Sequence, residues 1–108
     1  MRISEERKAD TVIIAPEGRL DSINAPILEH ALATVIDRGD TRLIIDFTSL
    51  DYISSIGLSV LLTAAKRLKR LDGRIVLAGM NDRVGMVMEI SGFNRIFVIF
   101  PSVEHALA

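Results

Sequence analysis

The sequence predicts an α/β domain on a largely parallel or mixed sheet. Three observations lead there. Short apolar runs alternate with stretches of helical period along the 108 residues. The runs are unbroken rather than alternating, which suits strands covered on both faces or held centrally. Glycines and capping residues punctuate the changes of period. Strand–helix–strand order implies right-handed crossovers between parallel strands.

RISEERK at the start is a candidate edge strand, because Met1 and Ile3 alternate before the charges take over. VIIAP (12–16) is short, apolar and β-branched, and EGRLDS after it reads as a turn. In the first helix Leu28, Ala31, Leu32, Val35 and Ile36 form one stripe at helical period. Asn24 is placed to cap it, Pro26 sits in the first turn where a missing N–H is harmless, and Gly39 is a stop. RLIIDF (42–47) is the second strand and TSLDYIS a loop. The second helix carries Leu58, Leu61, Leu62, Ala65 and Leu68 on one face. It ends in KRLKRLDG, whose cations suit the negative end of the helix dipole and whose Gly73 closes it.

RIVLAG (74–79) is the third strand. A shorter helix comes next, capped by Asn81 or Asp82 and stopped by Gly92, with Val84, Val87 and Met88 inward. IFVIF (96–100) is the fourth strand, and SVEHALA a last short helix behind Ser102. The expected whole is one domain, 1–108, with a mixed sheet of four to five strands and about four helices.

Composition narrows the function. Apolar residues make up 49% of the chain, enough for a core without metals or disulfides. The absence of cysteine excludes disulfide frameworks and thiol nucleophiles. Thirteen basic and fourteen acidic residues nearly cancel, so no global field draws the chain to nucleic acid or an anionic membrane. The basic KRLKR run (66–70) reads as a solvated helix end. MRISEERKAD is charged and lacks an apolar signal segment, and no apolar run is long enough to cross a bilayer. A cytoplasmic domain is the expectation. His30 and His105 have no second ligand at metal spacing, so neither metal nor cofactor is expected. Ile53 stands where a G-x-S-x-G elbow needs its first glycine, and there is no phosphate-binding G-x-x-x-x-G-K-[ST] loop. The expectation is a protein that is not an enzyme.

The stretch DYISSIGLSVLL (51–62) is where function is expected, because sites in open α/β sheets lie beyond the carboxyl ends of the strands. With Ser55 as the cap, Ile56, Gly57 and Leu58 open the helix with unpaired N–H groups, a ready anion site. A phosphoryl group on Ser55 would sit beside those donors, favoured by roughly 0.3–1 kcal/mol from the dipole. Capping alone, worth about 1 kcal/mol over alanine, also explains a serine there. Gly57 admits two readings, close approach of a partner or close packing on the sheet.

Three segments in order resemble the STAS domain, of the bacterial anti-sigma factor antagonist type. EGRLDSINAP resembles the family's G-x-L-D turn. RLIIDFTSLDYISSIGLSVLL resembles its strand, loop and phospho-acceptor helix, and GRIVLAGMNDRVGMVMEISGFNRIFVIFPSVEHAL its closing elements. Aligned on Gly57 and Leu58, the family's Asp-Ser-Ser/Thr-Gly-Leu pattern places the acceptor on Ser55, with Ser54 as second choice. Ser54 then stands at the usual aspartate and Ile56 at the usual second hydroxyl.

The resemblance implies partner switching. The unmodified protein binds an anti-sigma factor that is also a serine kinase of ATPase-type fold. Phosphorylation releases it, and a serine phosphatase resets it. The docking residues so implied are Asp21, Ser22, Ser54, Ser55, Ile56 and Gly57. Asp21 serves equally as a turn former, and Asp46 and Asp51 are candidates for an acidic rim. Met86 and Ile90, four apart and off the inward face of their helix, join as an apolar pair. The alternative is a docking subunit of a transporter or signalling scaffold that is never covalently switched.

Overall fold

The computed structural model describes residues 1–108. The order is β1 (Arg2–Lys8), β2 (Thr11–Leu20), α1 (Ala25–Asp37), β3 (Arg42–Asp46), β4 (Leu50–Ile53), α2 (Ser55–Arg70), β5 (Arg74–Ala78), α3 (Asp82–Ser91), a 3-10 turn (Phe93–Arg95), β6 (Ile99–Phe100) and α4 (Val103–Leu107). One mixed sheet runs β1-β2-β3-β5-β6, with β4 paired to the far end of β2. Only β1 is antiparallel to its neighbour.

The sheet has six strands rather than four or five, and the extra structure comes from β2 and β4. EGRL, expected in a turn, is the second half of β2. Val12–Ile14 lie opposite Leu43–Ile45 of β3, whereas Gly18–Leu20 lie opposite Leu50–Ile53. The change of partner happens at a bulge between Gly18 and Arg19, where Gly18 takes φ +95°. A side chain there would be strained, so glycine permits the bend. The new partner is LDYI, which therefore forms β4 instead of a loop.

Helices and sheet meet on one main face. Val12, Ile14, Leu43, Ile45 and Leu77 point into it, and α1 covers them with Leu28, Leu32, Val35 and Ile36. α2 adds Leu58, Leu61, Ala64 and Leu68, and α3 adds Val84 and Met88. Each buried leucine contributes about 1.5–3 kcal/mol. The other face holds a small cluster, Ile13, Ile44, Val76 and Ala78, closed by Phe100, Val103 and Ala106. Both faces are covered, as the unbroken apolar runs require, but unequally.

IFVIF is mostly not a strand. Ile96 and Phe97 N–H both donate to the Phe93 carbonyl, which holds the chain in turn geometry through Phe97. Phe97 is buried in the main core, and only Ile99 and Phe100 pair with β5. α2 closes with Gly73 N–H donating to the Leu68 carbonyl at 2.7 Å, and α3 stops at Gly92 in the left-handed region. At the opposite edge of the sheet, Arg7 and Arg38 both hold Asp40, at 2.8 and 2.6 Å, and Arg38 also bonds Glu5. The hydrogen bonds from Arg38, then Arg7, hold the Asp40 carboxyl below its usual range. These contacts join β1 to the end of α1.

Candidate functional site at the carboxyl edge of the sheet

β2 and β4 end together, with Leu20 opposite Ile53. The next residues, Asp21 and Ser54, thus emerge side by side. Asp21 Oδ1 accepts from the N–H of Ile23 (3.1 Å) and Asn24 (3.0 Å), and its carbonyl accepts from Ala25 N–H (2.8 Å). Asp21 therefore forms the turn that starts α1. Asn24 stands at the cap position, but its side chain does not cap. Its amide instead donates to the Arg19 carbonyl at 2.8 Å.

Ser54, not Ser55, caps α2. Its backbone is extended, its Oγ accepts from Gly57 N–H at 3.2 Å, and its carbonyl accepts from Leu58 N–H at 3.0 Å. The same Oγ donates to the Leu20 carbonyl at 3.1 Å, and Ser54 N–H reaches that carbonyl at 2.9 Å. Leu20 thus decides which serine caps. Ser55, Ile56 and Gly57 are the first three helical residues, one place earlier than a Ser55 cap would give.

Ser55 is exposed, and its hydroxyl makes no hydrogen bond within the protein. Ser54 is part-buried, and its hydroxyl has two partners. The N–H groups of Ser55 and Ile56 have no partner in the chain, because the cap takes only that of Gly57. No acidic side chain lies in the first turn of α2, while Arg67, Lys69 and Arg70 lie in its last. The positive end of this helix carries no acidic side chain of its own.

Gly57 is buried and faces inward. A Cβ there would lie 2.8 Å from Leu20 Cγ and 3.0 Å from Ile53 Cγ1. Packing explains the glycine; access for a partner does not. Gly57 leaves the set of docking residues for that reason.

Three of the residues expected from sequence, and one more, present exposed apolar side chains. Ile56 is 48% exposed, Met86 60% and Ile90 81%. Ile23, in the turn after β2, is 80% exposed, beside exposed Ser22. Sequence reasoning missed it, although an isoleucine inside the polar DSINAP turn is itself a signal. α3 stands against β4: Asn81 caps it by accepting from Val84 N–H at 2.8 Å, and its amide donates to the Leu50 carbonyl at 3.2 Å. Asp46 Oδ1 is bound to the N–H and hydroxyl of Thr48, while Asp51 is exposed on β4.

The STAS domain model matches residues 2–106. The chain belongs to the STAS domain family. BtrV of Bordetella bronchiseptica, which bears the name of an anti-sigma factor antagonist, is 40% identical over 108 residues, covering all of this chain and 93% of BtrV. The anti-sigma-B factor antagonist of Listeria monocytogenes is 34% identical over 95 residues, covering 88% of this chain and 83% of that one. The anti-sigma factor antagonist SpoIIAA in its unphosphorylated form superposes with a TM-score of 0.85 at 25% identity, over 98% of this chain and 93% of SpoIIAA. SpoIIAA in its phosphorylated form gives a TM-score of 0.76 at 24% identity, over 98% and 96%. This STAS domain is therefore of the anti-sigma factor antagonist kind, a group of regulators by name. No helix in it is long and apolar enough to cross a membrane.

Proposed function

We propose that this STAS domain is the switched component of a partner-switching pathway, and that Ser55 is its phospho-acceptor. The carrying observation is the division of labour in the doublet: Ser54 is fixed by two hydrogen bonds, and Ser55 beside it is exposed and unbonded. The unmodified protein docks an anti-sigma factor that is also a serine kinase. The docking patch comprises Asp21, Ser22, Ile23, Ser54, Ser55, Ile56, Met86 and Ile90. In the transfer, Ser55 Oγ attacks the γ-phosphorus of ATP, the bond to the β-phosphate oxygen breaks, and ADP leaves. The hydroxyl proton passes to a base of the kinase. The new dianion lies beside two unpaired N–H groups, so it is tolerated by the fold while it burdens an apolar docking face. A serine phosphatase restores the docking form.

The test is incubation with the candidate kinase and ATP, followed by mass spectrometry. Label on wild type and on Ser54→Ala, with none on Ser55→Ala, supports the assignment. Label that persists in Ser55→Ala rejects it. One observation favours a second reading, a docking subunit without covalent control: Ile56 puts an exposed apolar side chain where the family pattern has a hydroxyl. An unlabelled wild type that still binds the kinase would establish that reading.

A further inference from the structure

We propose that the groove between the second half of α2 and the unpaired start of β5 is a second docking site, for an acidic segment of a partner protein that binds as an added strand. It does not rest on the role of Ser55.

The sheet edge is open there. β6 pairs with β5 only at Leu77 and Ala78, so Arg74, Ile75 and Val76 have no neighbour on that side. Arg74 N–H points the other way, to the Thr41 carbonyl at 2.7 Å. Leu77 and Gly79 N–H point toward β6, to the Val98 and Phe100 carbonyls at 3.0 and 3.2 Å. By the two-residue alternation of a strand, the N–H and C=O of Ile75 face the open side. They are what an incoming strand binds.

Beside this edge lies a groove of about 630 Å³. Leu62, Ala65, Ile75 and Ile96 supply its apolar surface, with Ile96 56% exposed. Leu62, Ala65, Lys66 and Lys69 fall at i, i+3, i+4 and i+7, so one stripe of α2 supplies both apolar wall and cations. Lys66, Lys69 and Arg74 face a single acid, Asp72. That charge balance selects an acidic occupant. The apolar wall selects one with alternate aliphatic side chains, which an extended peptide presents on one face. A nucleic-acid strand fits less well, because no aromatic ring lines the groove for bases to stack on. Lys69 lies fourteen residues along α2 from Ser55, roughly 20 Å down the helix axis. The two sites can therefore be occupied together.

The probe is a fluorescein-labelled peptide of about eight residues, a normal strand length, alternating glutamate with valine. Its binding is followed by anisotropy, and the Ile75 amide by NMR hydrogen exchange. Expected are saturable binding, at least tenfold slower exchange at Ile75 in the complex, and unchanged binding by Ser55→Ala. The double variant Lys66→Glu/Lys69→Glu, confirmed folded by its thermal midpoint, should bind about tenfold more weakly. Absence of saturable binding, an unprotected Ile75 or full affinity in the charge-reversed variant overturns the proposal. So does an oligothymidine that binds more tightly than the peptide and is lost in the same variant.

Discussion

α2 and α3 both start against β4 and are anchored by the same device. In each, the cap side chain accepts from the third helical N–H and also donates to a strand carbonyl. Ser54 joins Gly57 to Leu20, and Asn81 joins Val84 to Leu50. They differ in the residue just after the cap. α3 continues with Asp82, a negative side chain on the positive end of its dipole, whereas α2 continues with Ser55 and has no acid in its first turn. The difference shows that anchoring a helix and neutralising its end are separate tasks. α3 completes both. α2 completes the first and leaves a hydroxyl where the second is open.

The sharpest way to break the comparison uses one glycine from each helix. Gly57→Ala pushes a methyl group into Leu20 and Ile53 and should destabilise by about 1–3 kcal/mol. In Gly85→Ala the new methyl meets nothing closer than Met80 Sδ at 3.9 Å, so the variant should be stabilised by about 0.5–1 kcal/mol. Urea unfolding of both measures the contrast, and equal midpoints would remove it.

The caps come next in size. Asn81→Ala and Ser54→Ala should each destabilise by about 1–2 kcal/mol, because each leaves a helix N–H without its cap and removes one donor from a strand carbonyl. Ser55→Ala should stay within about 0.5 kcal/mol of wild type, as an exposed change with no bond to lose. A Ser55→Ala loss as large as that of Ser54→Ala would mean that the two serines share the structural work.

A further small stability effect is the most informative about the open end. Ser55→Asp gives α2 what Asp82 gives α3, and should stabilise the domain by about 0.3–1 kcal/mol at low salt. The same variant should weaken the kinase complex, read by calorimetry, while Ser55→Ala still binds. Equal binding by both variants would dissociate charge at this position from control.

Much of this was legible from periodicity. Leu28, Leu32, Val35 and Ile36 of the first stripe and Leu58, Leu61 and Leu68 of the second face the core, Ala31, Leu62 and Ala65 are only half-buried, and RLIID and RIVLA are central strands. The charged opening segment is the antiparallel edge. What escaped depends on distant partners. β4 has only Leu50 and Ile53 as buried apolar positions, and it becomes a strand because β2 bends toward it at Gly18. Nothing local distinguishes Ser54 from Ser55 as cap, since the deciding carbonyl belongs to Leu20, 34 residues away. IFVIF has strong β propensity, but Phe97 is needed in the core and the preceding turn holds it there. Ile23 was legible as an apolar residue in the polar DSINAP turn.

Gly57 is demanded from the inside, by Leu20 and Ile53. A genome scan keyed to that glycine would therefore gather domains that assemble this way, with no bearing on whether their bearers receive a phosphate. On the proposed role of Ser55, sorting signalling members from silent ones requires looking two places upstream, at whether a side chain free of internal duties stands on the helix tip.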